Sequence, residues 1–447
     1  MADEMDWAED RQKFSLKMKL LFLAHRIPFP PNKGDKIRSY HELRALTERG
    51  HEVHLLAFAD DVRDLHHQVD LARWCASVRI VRLRKFWAKL RALVTLLTSR
   101  PLSLGYFGSR KMLRLVKRAL EQHQFDAVFV FSSPMAQYVP AEWRSRTVVD
   151  LVDVDSEKWR EYATRTSPPH SWLYGIEARR LRSFEYEIVA GFAHSILTTR
   201  READLLDDLD EFTRRAKVRI LTMGVDGEYF QVQATPETGG KLIRHPAVTQ
   251  QASETRPRLV FVGAMDYFAN VEAVRWFANE VFPLIRHEEP QTEFCIVGSN
   301  PAAEVKKLAE RPGITVTGTV EDVRPYLHRA TTCVVPLRIA RGVQNKLLEA
   351  MACGKAIVAT PEAAAGLRLA HEEQLLLAES PAEFAAAVVE TIRDESLRER
   401  LGWRARRFVE TEHDWQPLQQ KLAELIETVG QRRPEIEQTN VRAIARH

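Results

Sequence analysis

Pro336-Leu-Arg-Ile-Ala-Arg-Gly-Val-Gln-Asn-Lys-Leu-Leu-Glu-Ala-Met-Ala-Cys-Gly354 is the densest chemical text in this 447-residue chain. The apolar run Thr332-Cys-Val-Val-Pro336 before it reads as a buried strand, and Ala356-Ile-Val-Ala359 after it reads as another. Between them, a loop holding Arg338, Arg341 and Gly342 leads into a helix that Asn345 is expected to cap and Gly354 to end. Strand, glycine loop, helix and strand form a βαβ unit, the building block of a parallel sheet.

The free N–H groups at such a helix start make an anion site, and Gly342 lets the backbone approach a phosphate closely. Lys346, in the first turn, adds a full positive charge where a pyrophosphate would lie. Glu349 is three residues on, on the same helical stripe, where a carboxylate can accept both hydroxyl protons of a ribose. A Lys and Glu at this spacing are also what a solvated surface pair looks like. The glycine loop before the pair, and the apolar face Leu347, Ala350 and Met351 beside it, favour the binding reading.

The same alternation extends outward in both directions. Upstream lie Arg258-Leu-Val-Phe-Val262 with Gly263, a helical pattern from Val271 to Ile285, then Glu293 to Gly298 and Ile314 to Gly318. Between Gln231 and Arg256 the periodicity is lost and Pro, Gly, Thr, Gln and Ser dominate, which is linker composition. Earlier still come Lys19 to Ala24, a turn over Pro28 to Gly34, a helix over Ile37 to Arg49 closed by Gly50, and Val53 to Phe58. Further strands are expected at Val78 to Leu83, Ala127 to Phe131, Thr147 to Val152, Ser195 to Thr199 and Val218 to Leu221. Helices are expected at Pro381 to Arg393, Ser396 to Glu410 and Trp415 to Val429. The fold class is α/β, with two Rossmann-like domains facing across a cleft and ligands at the carboxyl ends of the strands. The expected division is an extension over 1–17, a first domain over 18–225, a linker over 226–257 and a second domain over 258–410. A C-terminal helix over 411–430, packing back on the first domain, and a tail over 431–447 complete it.

Composition sets limits. Forty-five per cent hydrophobic and 28 per cent charged residues exclude global disorder, and a net charge of +4 names no partner. Cys75, Cys295, Cys333 and Cys353 are scattered without zinc-like spacing and read as reduced core residues. The acidic start and the short first apolar run do not suit a signal peptide, and no run of about 18 apolar residues offers a spanning helix. The chain is expected in the cytoplasm. From Arg79 to Leu120, however, there are twelve Lys or Arg and no Asp or Glu, interleaved with Phe86, Trp87, Leu90, Leu93, Val94, Leu96, Leu97, Leu102, Leu104, Tyr106 and Phe107. That pattern suits an interfacial helix on anionic lipid, and its apolar load favours lipid over nucleic acid. A solvated helix packed on the sheet is the bland alternative.

The run Asn345 to Val358 resembles the donor-site signature of the GT-B family 4 of retaining glycosyltransferases. The likeness includes Leu20 to Gly34, Met223-Gly-Val-Asp226 and Val260-Phe-Val-Gly-Ala-Met-Asp-Tyr267. Phe29 to Arg38 and Val152-Asp-Val-Asp-Ser-Glu-Lys-Trp159 resemble, more narrowly, bacterial sugar transferases of exosortase-linked (PEP-CTERM) exopolysaccharide systems. The resemblance implies that Glu349 binds the donor ribose, and that the preceding loop of Gly342, Val343, Gln344 and Asn345 binds phosphate and sugar. It brings Gly263, Asp266 and Asn270 to the donor, with the base paired to the backbone near Gly318 and Val320. Where many members have a further Glu, this chain has Arg341. Ala264 to Asn270 lacks the usual Arg and Lys, leaving Lys346, Arg338 and Arg341 to neutralise the leaving diphosphate. Asn32, Gly34, Asp35 and Arg38 are implied at the phosphate and acceptor loop.

Where relatives place a His beside the anomeric centre, Asp153 or Asp155 is expected as the catalytic carboxylate, with Lys346 assisting departure of the leaving group. Asp153-Val-Asp155 is also a D-x-D, the metal motif of single-domain glycosyltransferases. Here the helix start and basic residues supply the compensation, so no metal and no cofactor beyond a UDP- or GDP-sugar substrate is expected. The leading function is transfer of a sugar, with retention, to a lipid-linked or polysaccharide acceptor at the inner face of the bacterial inner membrane. A nucleotide-sugar epimerase and a non-catalytic nucleotide-sugar-binding scaffold are the alternatives.

Overall fold

The computed structural model describes residues 17–31, 33–231 and 256–431. Asn32, most of the expected extension and linker, and nearly all of the expected tail lie outside the described residues. The chain divides into two compact units. The first holds the chain up to Leu197, Leu205–Arg219, and everything from Gln419 on; the second holds Thr198–Asp204 and Ile220–Leu418.

The first unit is built on seven strands: β1 (Lys19–Ala24), β2 (Glu52–Ala59), β3 (Ser77–Arg82), β4 (Ala127–Phe131), β5 (Thr147–Val152), β6 (His194–Leu197) and β7 (Val218–Ile220). Their order is 3-2-1-4-5-6-7, and the pairings from β3 through β6 are parallel. β1 and β4 are covered on both faces, which is why their sequences read as unbroken apolar runs rather than alternations. The order reverses between β1 and β4, so the crevice beyond their carboxyl ends is the topological switch point of this sheet.

The second unit repeats the plan with β8 (Arg258–Val262), β9 (Glu293–Val297), β10 (Ile314–Val316), β11 (Thr332–Val335), β12 (Ile357–Ala359) and β13 (Leu376–Leu377). The order is 10-9-8-11-12-13, all parallel, with its switch between β8 and β11. Both units are therefore Rossmann-like α/β layers. The expected helix over Val271 to Ile285 is instead Phe268–Trp276, a wide turn at Phe277–Val281, and Phe282–Glu288. Pro283, in the first turn of the last piece, has no N–H to continue the ladder.

The longest of the helices that escaped the sequence reading lies in the first unit. His170–Gly191 is 22 residues long and carries two buried carboxylates. Glu177 accepts the backbone N–H groups of Leu102 and Ser103. Glu185 accepts both the N–H and the hydroxyl of Ser156, in the first turn of the helix Asp155–Arg165. Burial pushes the Glu185 carboxyl up to about 8.

The basic stretch Arg79 to Leu120 divides into two parts. The helix Lys85–Val94 and the turn Thr95–Leu97 turn Phe86, Trp87, Leu90, Leu93, Val94 and Leu97 to solvent. Of the later apolar residues Leu104, Met112 and Val116 are buried and Phe107 meets His25 edge-on, while Leu113 is exposed. At Gly105 a Cβ would lie 2.5 Å from the Thr95 methyl and 2.9 Å from the Arg91 carbonyl, so glycine permits this close approach. No helix among the described residues is long and apolar enough to cross a membrane.

Candidate functional site

The second unit gathers most of the expected donor residues at the carboxyl ends of β8 and β11. The loop after β11 enters the helix Asn345–Ala352 at Gln344, not at Asn345. Gln344 is the capping position and Asn345 the first helical residue. The expected cap fails because the Gln344 amide turns back to the Arg341 carbonyl at 2.7 Å, so no side chain covers the first-turn N–H groups. Those donors, with the positive end of the helix, can accept an anion. Gly342 sits at φ +56°, in left-handed backbone that a side chain would strain. Its carbonyl is closely packed by Gly366, where a Cβ would lie 2.0 Å away.

Lys346 and Glu349 lie on this helix, half-buried in exposed area yet closely wrapped by protein. The Lys346 Nζ donates to Asn270 Oδ1 at 2.5 Å and stands 4.6 Å from the centre of the Phe261 ring. Asn270 is itself fixed. Its Nδ2 donates to the Ala264 carbonyl at 2.9 Å, which leaves Oδ1 for the lysine. Gly263 leaves room for that amide, since a Cβ there would come within 2.7 Å of Nδ2. Burial lowers Lys346 to about 7, opposed by the Glu349 charge, and burial raises Glu349 to about 7, opposed by Lys346. Near neutral pH, then, an arriving anion can shift a proton onto the lysine.

Other expected donor residues surround this pair. Gly318 has φ +72° in the loop after β10, followed by half-buried Val320. Asp266 is exposed and 3.4 Å from the Asn300 amide. Arg338 is held by Glu272 and lies over Trp276 at 5.1 Å, so it is already engaged by an acid and an indole. Arg341 and Gly342 line a narrow crevice together with Glu362 and Gly366. Val343 lies half-buried in the same loop.

In the first unit the structure separates the expected residues. Gly34 opens the helix Gly34–Glu48, three residues earlier than expected. Arg38, expected at the acceptor loop, is 1 % exposed; its Nε donates to Asp150 at 2.6 Å and lies 3.1 Å from Glu42. The correction has a simple cause, since a buried guanidinium needs buried carboxylates. Two acids share that cation, and burial together with the Asp150 charge pushes the Glu42 carboxyl well up. Asp35 bonds to Arg26 and lies 3.2 Å from His25 Nε2, and these partners hold its carboxyl well below the usual range despite burial.

The carboxyl end of β5 is strained. Val152 has φ +69°, uncommon for a β-branched residue, and its N–H donates to Asp150 Oδ1 at 2.8 Å. Asp153 follows in a tight turn, donating its N–H to the Leu151 carbonyl at 2.9 Å. Asp155 is the first residue of the next helix, 2.5 Å from Lys158. Directly after β4, Ser132 also has a positive φ, +78°, and donates its N–H to the Asp150 carbonyl.

Several residues at these edges were not singled out from sequence. His25 directly follows β1, is stacked on Phe131 and pairs with Asp35; a histidine at the end of the first strand was a legible signal. Arg324 lies 3.9 Å over the Tyr229 ring, and Glu349 is among the charges that raise the tyrosine hydroxyl, after burial and Asp322. Nothing local in sequence joins those two positions.

Residues 256–394 match the family model described as glycosyl transferases group 1. A 44.6 kDa protein in the cps region of Klebsiella pneumoniae is 21% identical over 410 residues, covering 89% of this chain and 96% of that protein. Sucrose-phosphate synthase from Thermosynechococcus elongatus superposes with a TM-score of 0.67 at 17% identity, over 92% of this chain and 99% of that one. HepE from Anabaena, in complex with UDP-glucose, gives 0.61 at 14% identity, over 92% of this chain and 100% of that one. The fold is GT-B, and the group 1 domain and this architecture mark the chain as a glycosyltransferase.

Proposed function

We propose that this glycosyltransferase moves a sugar, with retention, from a UDP- or GDP-sugar to a lipid-linked or polysaccharide acceptor in exopolysaccharide synthesis. The observation that carries the reading is the uncapped start of the helix Asn345–Ala352, with Gly342 before it and the Lys346–Glu349 pair on it. Glu349 accepts hydrogen bonds from the donor ribose. The first-turn N–H groups and Lys346 hold the diphosphate and stabilise the charge that develops as it leaves. The acceptor oxygen attacks the anomeric carbon from the face the diphosphate vacates, so configuration is kept, and the departing phosphate oxygen takes the hydroxyl proton. Asp153, presented by the strained Val152 turn, or Asp155 orients the acceptor or steadies the oxocarbenium charge. Charge compensation by backbone and lysine makes the proposed reaction independent of a metal.

The cps-region relative supports a polysaccharide setting, and the HepE complex with UDP-glucose supports a nucleotide-sugar donor. Membership of family 4 and of the exosortase-linked transferases belongs to the same proposal. So does peripheral residence on the cytoplasmic face of the membrane through residues 79–120.

A donor panel tested with and without lipid-linked acceptors decides the matter. Acceptor-dependent product with retained anomeric configuration is expected. An epimerised sugar formed without acceptor would replace the transferase with an epimerase, and binding without turnover would leave a scaffold. Glu349→Ala should raise the donor Kd at least thirtyfold, about 2 kcal/mol, the loss of a charge-assisted hydrogen bond. An unchanged Kd in calorimetry would remove Glu349 from the site.

A further inference from the structure

We propose that a cavity between the end of β3 and the helix Lys85–Val94 holds the headgroup phosphate of an anionic bilayer lipid and so sets how the first unit meets the membrane. The inference deepens the peripheral-membrane part of the function proposed above and rests on it. The cavity has a volume of about 310 Å³ and lies at the carboxyl edge of the first sheet, beside β2 and β3. Arg82 and Arg84 enter it from the end of β3, Arg91 and Trp87 from the helix, and buried Phe58 lines it from β2. Ser109, at the head of the helix Arg110–Gln122, lines it as well.

Three arginines thus line one small space with no acidic residue among its lining. Arg82 and Arg84 have no ion-pair partner among the described residues, whereas neighbouring Lys85 reaches Asp60 at 3.4 Å. The Arg91 side chain donates to the Tyr106 carbonyl at 3.3 Å, a neutral partner. Like charges gathered this way repel one another, and an anion with several acceptor oxygens relieves the repulsion. Arginine forks match a phosphate in pairs, and buried Phe58 gives the space one apolar wall.

The second observation selects a lipid over a soluble phosphate. Phe86, Leu90, Leu93 and Leu97 recur at helical spacing on the exposed side of the same segment, with Trp87 and Val94 beside them. Phe86 is 74% exposed and Leu97 89% exposed. A ridge of large apolar side chains beside a cationic cavity matches the two layers of a bilayer surface, acyl chains below and phosphates above. The sequence around it, Arg79 to Leu120, adds positive charge and contains no acid of its own. Nucleic acid would satisfy the arginines and leave that ridge in water.

Flotation of the full-length protein with vesicles tests this. Vesicles of phosphatidylglycerol and phosphatidylcholine, at about 0.1 M salt where surface charges still act over about 10 Å, should bind the protein, and pure phosphatidylcholine should not. The triple variant Arg82→Gln, Arg84→Gln, Arg91→Gln should bind about a hundredfold more weakly, from a roughly fivefold loss of affinity per basic contact. Lys111→Gln, Arg114→Gln, Lys117→Gln removes equal charge outside the cavity and should lose no more than about tenfold. Resistance of residues 17–197 to limited proteolysis, together with an unchanged thermal melt, serves as the folding control for both variants. Equal losses in the two triples would overturn the cavity while leaving the membrane reading intact. Absence of vesicle binding by the unaltered protein would overturn the membrane reading itself. Equal binding to neutral vesicles, or full displacement by millimolar glycerol phosphate, would overturn the lipid phosphate as the ligand.

Discussion

Lys346 is the residue on which pH should act most visibly. In the proposed donor role the lysine is protonated and Glu349 ionised, and burial draws both pKa values to about 7. Above neutrality the free protein loses the lysine proton, which diphosphate binding must restore, so affinity falls by up to about tenfold per pH unit. Below neutrality Glu349 gains a proton and accepts the ribose hydroxyls poorly. Calorimetric titration with a nucleoside diphosphate from about pH 5.5 to about pH 9 should therefore give a maximum near neutrality. Proton uptake should accompany binding on the alkaline side. Lys346→Arg should flatten the alkaline limb alone, because a guanidinium stays charged throughout. A Kd that is flat with pH in the unaltered protein would mean that the pair does not meet the diphosphate. The lysine's setting is narrow: Asn270 can point its oxygen at Nζ only because Ala264 takes the other end of the amide and Gly263 leaves it room.

At the scale of elements, the turn after β5 joins strain to position. Asp150 is buried, accepts from Arg38 on one oxygen and from the Val152 N–H on the other, and so holds Val152 at a positive φ. Val152→Gly relieves strain worth about 1 kcal/mol while giving the unfolded chain a similar gain in freedom, so stability should change by less than about 1 kcal/mol. Turnover should fall at least tenfold, about 1.4 kcal/mol of barrier, as the turn that presents Asp153 loosens. Denaturant melts beside kcat check this, and a loss of several kcal/mol in stability would show that the valine packs rather than strains. Most strands were legible, since β1, β4, β9 and β11 are buried runs whose sequence admits little else. The helix bearing Lys346 and Glu349 was legible too, from the glycine loop before it, although its cap was misplaced by one residue. The role of Arg38 was not. It stands among polar residues in a loop-to-helix segment, and its partner Asp150 is 112 residues away, so only the folded chain reveals a buried ion pair. The helix His170–Gly191 stayed hidden for a related reason: Glu177 and Glu185 interrupt its apolar stripe, and each is explained only by the distant helix start that it caps.

For the whole molecule, the final helix Trp415–Gln431 is the element with the largest consequence. Its first residues belong to the second unit, where Trp415 packs so closely on Gly224 that a Cβ there would lie 2.5 Å from the indole. From Gln419 it belongs to the first unit. Gln419 donates to the His41 carbonyl at 3.1 Å, and Glu427 lies 3.1 Å from the His51 ring. Gly430 fits against Met18, just before β1, where any Cβ would clash with the methionine methyl. Leu422, Ala423, Leu425, Ile426 and Val429 are all buried. Burial of four large apolar side chains contributes about 6–10 kcal/mol, comparable with the entire stability of a typical domain. A chain ending at Asp414 should therefore lose its first unit selectively. Limited proteolysis should cut within residues 17–197, while the second unit, which keeps Lys346, Glu349 and the group 1 domain, should still bind a nucleoside diphosphate. Equal protection of both units in the truncated chain would show that the helix is dispensable. Loss of nucleotide binding along with the first unit would show that the two cores do not fold independently. The expected outcome follows from topology: a helix that comes after every strand of both sheets in sequence completes the first core, so the core closes only when this helix is present.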